Sequence, residues 1–209
     1  MEITEEFGFL KYYIGKKLTG VETTPYWSEK KHLTMSNTVV IHTNAGPLCF
    51  SCSPYQADLF YEENEDVLFS VSEQRSEIEY SSLDDIPLGM EKRNETIIDI
   101  SLVYDEVAAL NKSDSDKVLT YPVAVTITTC DSAIGIWRDS MDVSLIGYEG
   151  ECMTGKRLWP VDELWGDYFG VPPFSVKRSG YSYYEEGPVY SEEKKFFPPS
   201  DGARPDGSL

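Results

Sequence analysis

Histidine is almost missing from this chain: His32 and His42 are the only two in 209 residues. Neither falls in a nucleophile or metal motif, so chemistry that depends on a histidine base or ligand has little to build on. Glycine-rich phosphate loops, Gly-x-Ser-x-Gly and His-Glu-x-x-His are all missing, which removes the common signatures of nucleotide binding, serine hydrolysis and zinc proteolysis. Basic residues are half as common as acidic ones, 18 against 36, for a formal net charge of -18 and a pI near 4.4. Such a field repels nucleic acid and anionic lipid. No apolar run approaches the roughly 18 residues of a membrane span. The start, MEITEEFGFLKYY, carries acid where a secretory signal carries base. The sequence-level expectation is therefore a cytoplasmic protein with no membrane and no nucleic-acid partner.

Cysteine is also sparse. Cys49, Cys52, Cys130 and Cys152 are read as reduced thiols in a chain without an export signal. Cys49-Phe-Ser-Cys52 has the spacing of a redox pair or half a zinc site. Residues three apart on a strand point to opposite faces, however, and Pro54 argues against the helix start that a thioredoxin-like pair needs. No metal and no cofactor is expected.

What is present is apolar alternation. At 41% hydrophobic and 13% aromatic, the chain can bury a sizeable core. Residues 39–50, VVIHTNAGPLCF, and 125–136, VTITTCDSAIGI, each read as a β-hairpin. Sliding the chain by about 86 residues aligns Ile14 with Ile100, Val21 with Val107, Val39 with Val125, Ile41 with Ile127, Thr43 with Thr129, Leu48 with Ile134 and Phe50 with Ile136. Over about 48 positions this gives roughly nine identities, where composition supplies about three. The first turn, Asn44-Ala45-Gly46, has good turn chemistry; Cys130-Asp131-Ser132 is poorer, which predicts a longer or bulged loop.

The fold class that follows is mainly β (α+β): two tandemly repeated antiparallel β units packed into one body, with few short helices. The first unit covers residues 1–60 and the second 98–170 with an aromatic closing segment. Between them, 61–97 is an acidic connection with short strands, in which Glu62-Glu63-Asn64-Glu65-Asp66 and Ser82 to Pro87 read as solvated loops. Helices are expected at Thr4 to Tyr13, weakened by Gly8, and at Val161 to Phe169 after Pro160. Residues 171–209 read as a Pro/Gly/Tyr-rich tail. Its aromatic stretch 179–197 should lie against the body or a partner, and its last dozen residues should be disordered.

Function is inferred from charge and surface. A surplus of acid steers a basic protein toward this one, and Trp and Tyr supply interface energy. The expected contacts are Glu62, Glu63, Glu65, Asp66, Asp84 and Asp85, with Trp159, Trp165 and Tyr168 as anchors. The 159–169 stretch has a second reading, as an element that closes the core. These features fit an immunity- or antitoxin-type inhibitor that neutralises a basic toxin, such as a nuclease. Two alternatives stand beside it: a hydrolase or small-ligand binder with a pocket between the units, using carboxylates or His42, and a structural assembly component. Paired carboxylates such as Asp84-Asp85 and Glu62-Glu63 lack the apolar setting that acid–base work needs. Asn111 to Asp116 suggests a calcium loop but lacks its central Gly and closing Glu.

Overall fold

The computed structural model describes residues 3–23, 26–28, 33–36, 38–59, 62–73, 90–110, 118–138, 145–149, 161–165 and 173–197. A short helix α1 (Ile3–Glu6) and a 3₁₀ helix (Gly8–Tyr13) lead into β1 (Lys17–Thr23), β2 (Tyr26–Ser28), β3 (Leu33–Ser36), β4 (Thr38–Thr43), β5 (Gly46–Leu59) and β6 (Glu62–Ser72). Then come β7 (Met90–Ala109), β8 (Val118–Thr129), β9 (Ala133–Arg138), β10 (Leu145–Glu149), helix α2 (Val161–Trp165), β11 (Phe174–Ser182) and β12 (Gly187–Phe196). The protein is mainly β, as its alternation predicts, and among the described residues every strand pair is antiparallel.

The strands follow the path β2-β3-β10-β9-β8-β7-β1-β4-β5-β6, and the β11–β12 hairpin branches from β7. β7 makes this possible by its length. Residues 90–96 pair with β1, residues 101–109 pair with β11, and β8 runs along 97–108. Its register shifts between Ile97 and Asp99 and again between Val103 and Tyr104. Such shifts bend and twist a strand, which lets one chain segment serve two sheets.

Alternation then fixes the main core. Val39, Ile41, Leu48, Phe50 and Phe69 meet Ile100, Leu102, Val125, Ile127, Ile134 and Ile136 in one buried cluster. β6 lies against β8 and β9, and β10 against β4 and β5, so the β1-β4-β5-β6 meander covers one face of the β7-β8-β9-β10 meander. Burying a side chain of this size contributes about 1.5–3 kcal/mol, which makes this interface the main source of stability. Leu10 and Tyr13 of the 3₁₀ helix close one end.

The two central hairpins share a register. Ile41 pairs with Leu48 and Val39 with Phe50, while 86 residues later Ile127 pairs with Ile134 and Val125 with Ile136. The turns share a device too. The Thr43 hydroxyl donates to the Gly46 carbonyl and accepts from the Ala45 amide; the Thr129 hydroxyl accepts from the Asp131 and Ser132 amides and gives its own proton to the Glu95 carboxylate. By strand bounds the first connection is Asn44-Ala45 and the second is Cys130-Asp131-Ser132, one residue longer, as its poorer turn chemistry predicts, with the Thr129 hydroxyl bracing it. The opening strands do not follow the same offset. Pairing makes Leu18 the counterpart of Ile97 and Val21 that of Ile100, 79 residues apart, so matching Ile14 with Ile100 and Val21 with Val107 is corrected.

Three further expectations change. Residues 62–66 are strand, paired with β5 from Leu59↔Glu62 to Tyr55↔Asp66, because backbone pairing outweighs their turn-like composition. Residues 174–196, read as part of a tail, are an integral hairpin, and their aromatic stretch joins the body as expected: β11 pairs along β7 and sends Phe174 and Val176 into a second apolar cluster. The helix expected from Thr4 to Tyr13 breaks at Phe7–Gly8 into α1 and the 3₁₀ turn. Ser82 to Pro87, residues 111–117, 166–169 and the last dozen residues lie outside the described part of the chain.

Candidate binding surface

The second cluster sits on the opposite face of the β7–β8–β9 sheet, where Val161, Leu164 and Trp165 of α2 cover Val103, Val107, Tyr121, Val123 and Trp137. At its centre is an ion pair. Asp105 on β7 faces Arg178 on β11 as a register partner, and the guanidinium Nε and Nη2 each donate to the carboxylate at 2.7 Å. The Trp165 indole Nε1 donates the third bond, also at 2.7 Å. Asp105 is 0% exposed and Arg178 2%. Burial opposes the charge on Arg178, but the bonds and field of Asp105 outweigh it and push its pKa up. The Arg138 guanidinium stacks over the Trp165 ring at 5.5 Å from its centroid, and Tyr121 packs against the same ring. Trp165, named as a partner anchor, is 1% exposed and belongs to this core, in line with the reading of its segment as an element that closes the core. Its indole N–H explains why: a buried carboxylate needed a third donor.

The other chosen contacts divide. Glu62, Glu63, Glu65 and Asp66 open strand β6, which among the described residues pairs only with β5. Asp84, Asp85, Trp159 and Tyr168 lie outside the described residues. His42 is half-buried and sits 2.8 Å from the Glu22 carboxylate across β1 and β4, the structural role its strand position predicts. Cys52 enters the main core with Phe50, while Cys49 is buried but not part of that cluster. Cys49, Cys52 and Cys130 form no disulfide. Among the described residues no group of three or more His, Cys, Asp or Glu side chains is placed to hold a metal ion. Glu95 is instead consumed by the second hairpin turn, accepting from Thr129 Oγ1 at 2.5 Å, Ser132 Oγ at 2.9 Å and Arg93 Nη1 at 3.4 Å. Burial works against its ionisation, yet these donors prevail and hold its pKa below the ordinary glutamate value.

Sequence reasoning missed a corner where the β7 bulge, the 3₁₀ helix and the β11–β12 turn meet. Asp99 organises it. One carboxylate oxygen accepts from Ser182 Oγ at 2.9 Å and from the Tyr184 amide at 3.1 Å, and the other from Ser101 Oγ at 2.9 Å. Ser182 Oγ accepts in turn from the Glu185 amide, and the buried Tyr183 hydroxyl donates to the Thr4 carbonyl. Lys11 bonds Glu186, a non-glycine residue at φ 55. Around this frame Tyr184, Tyr12 and Ile98 are 68%, 58% and 45% exposed. The signal available in the sequence was Tyr-Tyr-Glu-Glu-Gly at 183–187, a tight-turn composition carrying two aromatics.

A cavity of about 360 Å³ opens at the seam between β6 and β8. Ile3, Phe7, Phe69 and Val71 give it an apolar floor, with Glu6 and Thr120 among its polar lining. His42 does not line it. Among the described residues no helix is long and apolar enough to cross a membrane. Comparison with family models, curated proteins and solved structures finds no match for this chain.

Proposed function

We propose that this protein is an acidic protein-binding module of the bacterial cytoplasm, an immunity- or antitoxin-type inhibitor that covers the cationic surface of a toxin such as a nuclease. The observation that carries the reading is the setting of its acid. A formal charge of -18 is borne by a β scaffold, and the run from Glu62 to Asp66 belongs to a paired strand at the end of the sheet path. Charge fixed on a strand presents a cationic partner with less ordering cost than the same charge on a loop, and long-range attraction raises the association rate. Co-expression with the product of the adjacent gene, followed by titration calorimetry across salt concentrations, tests it. Tight, salt-weakened binding that suppresses the partner's activity supports the inhibitor, whereas salt-indifferent binding removes the electrostatic basis.

A second reading rests on the seam cavity, whose size falls in the range of small-molecule sites. Its lining favours a small amphipathic ligand with a donor group near Glu6. Thermal-shift screening of such compounds, repeated on Thr120→Trp to fill the mouth, checks it; equal shifts in both proteins exclude the cavity as the site.

A further inference from the structure

We infer that the β11–β12 turn, with Tyr184 at its tip and Glu185 beside it, is the docking point for an arginine-bearing segment of a protein partner. This deepens the proposed function and rests on its cationic partner. Of the two tyrosines in this turn, Tyr183 is buried, at 4% exposed. Its neighbour Tyr184 is 68% exposed although its backbone amide is bonded to Asp99. The ring therefore projects from a backbone already fixed by Asp99, Ser182 and the Tyr183–Thr4 bond, so an interface forming there loses little conformational freedom. Glu186 adds a left-handed backbone, at φ 55, that L-residues rarely adopt.

The chemistry of the corner selects the occupant. An exposed tyrosine face beside the exposed Glu185 carboxylate offers a planar cation both stacking and an acceptor, a match for guanidinium that a compact ammonium meets less well. Lys11 holds Glu186 in place, and Glu185 stands exposed next to Tyr184. Ile98 and Tyr12 flank the point with apolar surface that a partner covers to exclude water.

The test uses the full chain with fluorescein-labelled octa-arginine and octa-lysine peptides as probes, at low and moderate salt. Anisotropy gives affinity, and amide chemical shifts in labelled protein locate the contact. The expected result is tighter binding of octa-arginine, shifts centred on residues 183–187, and a loss of about tenfold in affinity for Tyr184→Ala, a change typical of an interface anchor. Tyr184→Trp keeps the affinity, and Glu193→Gln on β12, away from the turn, leaves it unchanged. Because Tyr184 is exposed, its alanine variant folds, which far-UV circular dichroism checks. Octa-arginine binding with silent 183–187 amides, or an unaffected Tyr184→Ala, overturns this site while leaving the acidic-binder reading in place. Equal affinity for the two peptides overturns the arginine preference. Failure of both peptides to bind at low salt overturns the cationic-partner reading itself.

Discussion

Asp105 shows how much a single side chain can demand of its surroundings. A carboxylate without solvent survives only if its oxygens are occupied, and here Arg178 and Trp165 supply three donors at 2.7 Å. Asp105→Asn keeps the shape but leaves Arg178 as a buried charge without its counter-ion. We expect it to cost about 3–5 kcal/mol in urea denaturation, and the apolar double variant Asp105→Leu/Arg178→Met to recover most of that loss. A single-variant cost below ~1 kcal/mol would mean that water reaches the site. Glu95 makes the complementary prediction for pH. Its folded pKa lies below the ordinary value of 4.5, so the carboxylate's contribution is fully present above that pH and is lost as pH falls through the folded value. The stability of Glu95→Gln, measured by denaturant midpoint from pH 6 downward, is expected to fall less steeply below about 4.5 than that of the unmodified protein. Parallel profiles would show that Thr129 and Ser132 do not select the ionised form. Neither residue is legible from hydropathy, which reads Asp105 as solvated and cannot see that Arg178 will face it seventy-odd positions later.

At the scale of elements, the β11–β12 hairpin depends on a glycine for space. A methyl group on Gly180 meets Tyr190 ring carbons at 2.5 and 2.6 Å and Val189 at 3.0 Å, and Tyr190 is held against the buried Arg178 region with its hydroxyl buried. Gly180→Ala is expected to destabilise the hairpin by about 1–3 kcal/mol, with Tyr190→Ala in the same chain restoring part of it. Additive losses in the double variant would exclude the clash. This hairpin also marks where sequence legibility ends. The strands at 38–51 and 118–138 announce themselves because Val39, Ile41, Val125 and Ile127 alternate with residues facing elsewhere. β11 has the same period, but one of its inward positions is Arg178 and its spacing includes Ser179 and Gly180, so its composition imitates a tail. β6 hides for the opposite reason. Its opening acids look like a loop, yet charge at the end strand of a sheet is one way to discourage edge-to-edge association. Of the candidate contacts, only the acidic run lent itself to being found by composition; Tyr184 depends on Asp99, 85 positions away, to be held outward.

For the whole molecule, a charge of -18 on 209 residues makes two opposite demands of salt. Within the free protein, like charges repel across distances comparable with the Debye length, about 10 Å at 0.1 M, and this favours the expanded chain. Local pairs such as Lys177–Glu106 and Lys194–Asp162 offset a part of it, but basic residues number half the acidic ones. Raising sodium chloride from 20 mM to about 0.3 M should therefore raise Tm in differential scanning calorimetry, chloride being chosen because sulfate stabilises proteins by exclusion from their surface as well. In the complex the same ions weaken attraction to a cationic partner, so affinity should fall over that range. Opposite slopes in one salt series separate repulsion within the fold from attraction across an interface. A Tm that is flat or falling with sodium chloride would mean that the acids are already neutralised by neighbours, and a surface so neutralised has no long-range field with which to steer a partner.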